Sequence, residues 1–380
     1  MTFVPASITS FLSSEVSLAK LELVVVELPQ IKPFRSAIGV RNSRKALIIK
    51  WHTKKGIIGY GECSCRPDPF YSHEFVEGAI QVIQEFVFPL LKFATTYNEV
   101  LTALSKIRGW NFTKAAVEFA MNDAIRRSTG KGILEAWDSP RLDKVPVGIS
   151  MGLFENGFVM SQAIKEAETE GYKRLKFKIK PGYASPSILT SLKECNHPTM
   201  SFDANGSFTA NDFEALALFA NLGYMVEQPF APGNSYLQKE FEENHSALIN
   251  CPDEEVETLG QLIEQKDNLS ELNIKPGRVG GVYNTIEIME YCFANNISAW
   301  IGGMFETGIG RAQNLQIASF LPGAVAHDQS PSNRYFKKDV LKEPIEMEDG
   351  CISSRYFLNP EIDELTFEGL TISKLVSVHK

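Results

Sequence analysis

Five ionisable residues recur along the second half of this chain at nearly constant spacing. Lys178, Asp203, Glu227, Asp253 and Lys275 lie 25, 24, 26 and 22 residues apart. Each ends a short apolar run, so each occupies the same place in a successive unit. Three carboxylates brought to one point repel one another, and a bound divalent cation resolves that repulsion. An all-oxygen set without His or Cys suits magnesium, with manganese as the alternative, and not zinc. Any one of these acids alone is equally well explained as a helix N-cap on a loop; three in phase favour a metal.

The lysines supply the other half of the chemistry. Lys176 and Lys178 share one face of a strand, because side chains alternate with period two. Lysine is rare inside a barrel unless paired or functional. To act as a base it must lose its proton, and a neighbouring lysine and a cation both lower its pKa. Lys176 and the metal would do this to Lys178. Three acid-bearing strands separate Lys178 from Lys275, which places the two lysines on opposite sides of a barrel mouth. That arrangement suits proton abstraction beside a carboxylate, with the metal stabilising the enediolate.

The elements that must position these residues follow a regular rhythm. From Val145 short apolar strands alternate with helical stretches: Val145–Ile149, Arg174–Ile179, Met200–Asp203, Met225–Glu227, Ile249–Asp253, Leu272–Lys275 and Ser298–Gly302. Repeated βα units imply a parallel sheet, and this many favour a closed α/β barrel of the TIM type with its site at the strand C-termini. Neither GxGxxG nor GxxxxGK[ST] follows a strand, which removes the main nucleotide-binding folds. The opening third reads as α+β. Strands at Leu21–Leu28 and Ala46–Thr53 turn at Lys54-Lys55-Gly56 into Ile57–Gly61. Helical periodicity begins at His73, and a helix from Lys114 to Thr129 stops at Gly130. Short strand-like pieces at Leu365–Phe367 and Leu370–Ile372 return to the first domain. The resulting division is an extension at 1–17, a domain at 18–143, a barrel at 144–350 and a C-terminal segment at 351–380.

Composition bounds the setting. Hydrophobic residues make up 44% and charged residues 22% of 380, ordinary values for a soluble globular protein. The net charge of -8 disfavours nucleic acid and anionic membrane as partners. No run is apolar and long enough to span a bilayer, and Met1–Leu18 lacks the pattern of a secretory leader. The six cysteines are scattered, and even Cys63-x-Cys65 reads best as core or loop thiols. The expectation is a cytoplasmic protein acting on a small carboxylate substrate and compatible with a homo-oligomer. His52, His73, His197, His245, His327 and His379 show no ligand spacing, and surface or loop roles are expected for them.

Longer stretches carry a family resemblance. They are Gly59-Tyr60-Gly61-Glu62, Pro69-Phe70-Tyr71-Ser72, Arg174 to Gly182 around Lys176-Phe177-Lys178, Asp203-Ala204-Asn205 and Glu227-Gln228-Pro229. Asn273-Ile274-Lys275-Pro276-Gly277-Arg278-Val279-Gly280-Gly281, Gly302-Gly303-Met304 to Ala312, and Leu321-Pro322-Gly323 complete the set. With these the chain resembles the enolase superfamily, muconate-lactonising subgroup, and within it the o-succinylbenzoate synthase / N-acylamino acid racemase family. The resemblance implies a (β/α)7β barrel with an α+β N-terminal cap completed by the C-terminal segment. It also implies a Lys base with magnesium. Lys178 would be the base and acid, helped by Lys176, with Lys275 facing it. Asp203, Glu227 and Asp253 would hold magnesium. Asn205, Glu254, Ser150, Gly302, Gly303 and Met304 would support or line the substrate, and Arg278 would tune Lys275. The loop near Phe34-Arg35-Ser36 would close over the site.

The implied reaction is magnesium-dependent syn-dehydration to 2-succinylbenzoate in menaquinone biosynthesis. The alternatives are N-acyl(succinyl)amino acid racemase or dipeptide epimerase, and at the far end a non-catalytic barrel. The chain departs from the family pattern at Pro252, Glu255, Gly206 and Gln313, and Met1–Ser17 stand outside the resemblance.

Overall fold

The computed structural model describes residues 4–378. Four antiparallel strands form the first sheet, in the order β13 (Thr371–Val378), β1 (Lys20–Ser36), β2 (Gly39–His52) and β3 (Ile58–Cys63). The helix Asn111–Thr129 packs against β3, and Gly130 ends it in the left-handed conformation that glycine adopts without steric cost. Gly59 and Gly61 make that packing feasible. A Cβ on Gly61 would stand 2.1 Å from the carbonyl oxygen of Ala116, and one on Gly59 2.2 Å from that of Ala120. Both obstacles are backbone, so neither can swing away. Gly61→Ala should therefore cost about 1–3 kcal/mol in urea unfolding. The same change at Gly369, which faces open space, should be near neutral.

The second unit is a barrel. β5 (Ile149–Met151), β6 (Leu175–Lys178), β7 (Met200–Asp203), β8 (Met225–Glu227) and β9 (Asn250–Cys251) form one parallel sheet; β10 (Glu271–Ile274) and β11 (Ser298–Ile301) form another. Backbone hydrogen bonds join the pieces into a ring. Asn273 N donates to the Pro252 carbonyl at 3.2 Å, linking β9 to β10. Asp328 N donates to the Ile301 carbonyl at 3.0 Å, and Gly148 N to the His327 carbonyl at 2.8 Å. The irregular stretch around His327 is thus the eighth staff, closing onto residues just before β5. Helices Gly157–Thr169, Pro186–Glu194, Phe213–Ala220, Tyr236–Glu242, Leu259–Gln265, Val282–Asn295 and Gly308–Ala318 connect successive staves. This is the expected α/β barrel of (β/α)7β type with an N-terminal α+β cap.

Local differences have local causes. The expected strand Val145–Ile149 divides into β4 (Lys144–Pro146) and β5. Pro146 has no N–H to donate, and β4 pairs antiparallel with β12 (Cys351–Ser353) instead of joining the barrel ladder. Pro252 likewise shortens the expected Ile249–Asp253 to Asn250–Cys251. Leu365–Phe367 is not a strand. It lies in the helix Glu364–Leu370, where the Asp363 side chain caps Thr366 N at 3.2 Å. Residues of the N-terminal extension pack on the cap: Ile8 is buried, and Val16 N donates to the Thr95 carbonyl at 2.8 Å.

Glu118 joins the two units. Its buried carboxylate accepts from Tyr97 Oη at 2.7 Å and from Tyr283 N of the barrel at 2.9 Å. Burial pushes its pKa up to about 7. A carboxyl raised in the folded state stabilises the fold at low pH and loses that contribution as pH climbs from the ordinary value near 4.5 to about 7. Glu118→Gln removes the ionisation. It should therefore be roughly neutral at pH 4.5 and stabilising by about 2–4 kcal/mol at pH 8, as urea titrations at the two pH values would show.

Candidate active site

Strand register brings the chemical residues side by side. Lys178 of β6 is the direct partner of Asp203 on β7, Asp203 of Glu227 on β8, and Glu227 of Cys251 on β9. Asp253 follows two residues after Cys251, and Lys275 one residue after β10. All five are buried, and so is Lys176. A solvated basic strand at Lys173–Lys180 is thereby excluded.

Each acid of the row is held by a lysine. Lys178 Nζ lies 2.5 Å from Asp203 Oδ2 and 2.7 Å from Asn205 Oδ1. Lys176 Nζ lies 2.6 Å from Glu227 Oε2 and also contacts Asp328. Lys275 Nζ lies 2.6 Å from Asp253 Oδ2 and 2.7 Å from Tyr71 Oη. Arg278 approaches Asp253 Oδ1 at 3.3 Å. Asn205 Nδ2 donates to Glu254 Oε1 at 3.1 Å, tying the loop after β7 to the loop after β9. Among the described residues, no three acids, histidines or cysteines stand grouped as a ready-made metal set; the ammonium groups lie between the carboxylates.

The donor chemistry nonetheless fits a hard divalent cation. Burial, with Asp203 and Asp253 adding like charge, pushes Glu227 up to about 8 despite Lys176. Burial also raises Glu254, and Asp253 adds to it. Asp253 Oδ1 and Glu254 Oε2 are buried and accept no hydrogen bond. Crowded buried carboxylates with raised pKa values and unused lone pairs are what a further cation relieves. Asp203 and Asp253 differ from Glu227. Burial raises both, but Lys178 and Lys176 outweigh it at Asp203, and Arg278 and Lys275 at Asp253, holding both below the usual carboxylate range.

One cavity of about 50 Å³ gathers the chemistry, lined by Ser150, Lys176, Lys178, Asp203, Lys275 and Gly303 among others. Glu227, Asp253 and Asn205 pair with the lysines of its lining, and Glu254 and Arg278 stand one contact further out, on Asn205 and Asp253. Gly302 and Met304 are not on its wall. Gly302 has its own reason to be glycine: a Cβ there would meet Asn273 Oδ1 at 2.1 Å and Lys275 Cγ at 2.9 Å. Its bareness makes room for the lysine.

Several functional contacts were not expected. Lys176 is not a neighbour that merely lowers Lys178. Burial lowers its own pKa, but Asp328, Glu227 and Asp203 outweigh that and keep it firmly charged. Asp328, which also pairs with Arg174 at 2.8 Å, sits on the irregular eighth staff and shows no strand pattern. Tyr71 reaches in from the cap to touch Lys275, Asp253 and Arg278. Asn273 holds Glu227 Oε1 at 2.7 Å, and period-two alternation from Lys275 could have found it. The histidine expectation fails at His327, which is buried at the barrel seam, whereas His197, although buried, lies in a loop as expected. Burial first, then Arg174, drives His327 down to about 3, and its Nδ1 accepts from Ile301 N at 3.0 Å. It is a structural acceptor at the barrel seam. His379 lies outside the described residues.

The departures from the family pattern are also accounted for. Gly206 has φ +68°, a conformation that favours glycine over serine. Gln313 Nε2 donates to the Tyr60 carbonyl at 2.7 Å, bonding barrel to cap. Glu255 accepts from Gly233 N at 3.2 Å.

A capped (β/α)7β barrel with lysines and acids at its strand C-termini defines an enzyme class, and comparison with known proteins gives the family. Residues 159–355 match the model of the enolase C-terminal domain-like family, and residues 20–135 that of the mandelate racemase / muconate lactonizing enzyme N-terminal domain. The chain is 31% identical over 341 residues to an o-succinylbenzoate synthase of Listeria innocua, covering 87% of this chain and 89% of that one. It is 32% identical over 345 residues to an N-succinylamino acid racemase of Amycolatopsis, covering 88% and 91%. A solved enolase-superfamily member from Listeria innocua superposes with a TM-score of 0.88 at 28% identity, over 96% of this chain and all of that one. The chain belongs to the enolase superfamily and is an enzyme. No described helix is long and apolar enough to cross a membrane.

Proposed function

We propose that this enzyme is an o-succinylbenzoate synthase, which dehydrates 2-succinyl-6-hydroxy-2,4-cyclohexadiene-1-carboxylate to 2-succinylbenzoate for menaquinone biosynthesis. The carrying observation is that Lys178 and Lys275 line one small polar cavity from the two ends of an acidic row. The substrate is a small carboxylate. Asp203, Glu227 and Asp253 would hold magnesium, which would supply positive charge against the enediolate.

The residues act as follows. Lys178, as the free amine, takes the proton α to the carboxylate. The same ammonium then returns that proton to the departing hydroxyl on the same face, so water leaves and the ring becomes aromatic. Asn205 Oδ1, 2.7 Å from Nζ, keeps Lys178 oriented. Lys275, held by Asp253 and Tyr71, stabilises the enediolate from the opposite side. Lys176, fixed between Asp328 and Glu227, sets the charge beneath both. Tyr71 remains a neutral phenol, because burial raises its pKa well above the ordinary value. Five buried free thiols, Cys63, Cys65, Cys195, Cys251 and Cys292, accord with a reducing cytoplasm.

N-succinylamino acid racemisation is the second reading, and one contact favours it. Arg278 shares Asp253 with Lys275, so the carboxylate's hold on that ammonium is divided. Such a lysine is better placed to exchange a proton. Parallel assays decide between the readings: dehydration of the cyclohexadiene substrate, and deuterium exchange at the α-carbon of N-succinyl amino acids. Efficient dehydration is expected. Exchange without measurable dehydration would overturn the first reading and leave the second.

A further inference from the structure

Tyr71 enters the active site from the loop after β3, and its hydroxyl has no spare capacity. A phenol has one proton to give and two lone pairs. The proton goes to Asp253 Oδ2 at 3.2 Å, and the oxygen accepts from Lys275 Nζ at 2.7 Å and from Arg278. Lys275 Nζ is held at two points, by Tyr71 and by Asp253 Oδ2 at 2.6 Å, while its side chain lines the cavity. Two fixed hydrogen bonds at one nitrogen set the direction in which it faces the substrate. Asp253 is also assigned to the metal. Tyr71 is the holder of Lys275 that stands outside the metal set.

The cap steadies both partners from one place, the start of the helix Asn111–Thr129. Glu74, on the same loop as Tyr71, accepts from Phe112 N and Thr113 N, both at 2.9 Å, and from Thr113 Oγ1 at 2.8 Å. Glu74 is buried, so water does not compete for this anchor. On the barrel side, Gly277 follows Lys275 closely and presses on the Phe112 ring. A Cβ on Gly277 would stand 2.6 Å from Phe112 Cδ1. The Arg278 guanidinium lies 5.8 Å from the centroid of that ring. The loop of Tyr71 and the turn after Lys275 thus share one footing on the cap.

We propose that Tyr71 is the positioning residue for Lys275: its hydroxyl aims Nζ across the cavity, so this half of the site is complete only with the cap docked. The proposal rests on the reading of Lys275 as the group that faces Lys178. Lysine ends a flexible four-carbon stem, and without the hydroxyl Asp253 alone among the described residues holds its nitrogen.

Tyr71→Phe removes the hydroxyl and keeps the ring, whose centroid lies 5.2 Å from Lys275 Nζ and 5.1 Å from Arg278 Cζ. The test is a double-variant cycle on the full-length enzyme: kcat and KM for dehydration in wild type, Tyr71→Phe, Lys275→Ala and the two combined. Tyr71→Phe should lower kcat about tenfold to a hundredfold, the scale of a misplaced reacting group, with KM and the circular dichroism spectrum little changed. In the Lys275→Ala background the same substitution should lower kcat by less than about threefold, because no lysine remains to be aimed. An equal loss in both backgrounds means that Tyr71 acts independently of Lys275 and overturns the proposal. So does a Tyr71→Phe enzyme with wild-type kcat. Wild-type turnover in Lys275→Ala sinks the role given to Lys275, and the role of Tyr71 with it. Absence of dehydration beside active α-proton exchange removes the synthase reading alone, and the same cycle run on exchange then decides for or against Tyr71.

Discussion

Lys178→Ala should lower turnover of every substrate of this enzyme by about 10³-fold or more, within the roughly 10²–10⁴-fold that a positioned proton-transfer group supplies. The fold should survive the change. Lys178 is paired with Asp203, but Lys176 Nζ also lies 3.5 Å from the same oxygen, so Asp203 is not left without a counter-charge. A loss of activity with an unchanged circular dichroism spectrum and urea midpoint then reports chemistry. Lys178→Arg sharpens the test. It restores a cation beside Asp203, yet a guanidinium does not give up its proton in this pH range. Arginine should repair any lost stability and leave activity as low as alanine does. If dehydration and α-proton exchange both persist within tenfold of wild type in Lys178→Ala, Lys178 is not the base.

Removing divalent metal should have a comparable effect. EDTA-treated enzyme is expected to lose about 10³-fold or more in activity and to regain it with magnesium. A second readout does not depend on turnover. Magnesium at about one hundred times its Kd stabilises a protein by about 2.7 kcal/mol, which for a chain of this size raises Tm by several degrees. Asp253→Asn and Glu227→Gln should abolish that rise. The response should also depend on pH. Burial and its acidic neighbours put Glu227 at about 8, so a proton competes with the metal below that value. Magnesium affinity should therefore strengthen as pH rises toward 8 and flatten beyond it. Activity that is indifferent to EDTA, or a Tm that magnesium leaves unmoved, would remove the three-acid assignment.

How much of this was legible beforehand differs by element. The barrel was, because its βα period is written locally in alternating apolar runs. The helix end at Thr129 was, because Gly130 supplies the positive φ that stops a helix. The strand at Leu365–Phe367 was misread because alternating apolar residues occur in a short helix as well, and only the cap at Asp363 distinguishes them. Strand ends at Pro146 and Pro252 were overrun because apolar pattern alone does not count hydrogen-bond donors.

The candidate site divides along the same line. Residue type and spacing alone determined that Lys178, Asp203, Glu227, Asp253 and Lys275 occur once per unit at strand C-termini. A parallel ladder in register then sets them side by side. Tertiary structure decided their partners. Tyr71 comes from the cap, 204 residues before Lys275. Asp328 meets Lys176 only because the irregular eighth staff closes the ring beside β5. Trp300 lies beneath Arg174 and Lys176 only because the barrel is closed. Spacing along a chain fixes which strand end a residue occupies. Which charge neutralises it depends on where distant strands meet, and that is settled by barrel closure and cap docking.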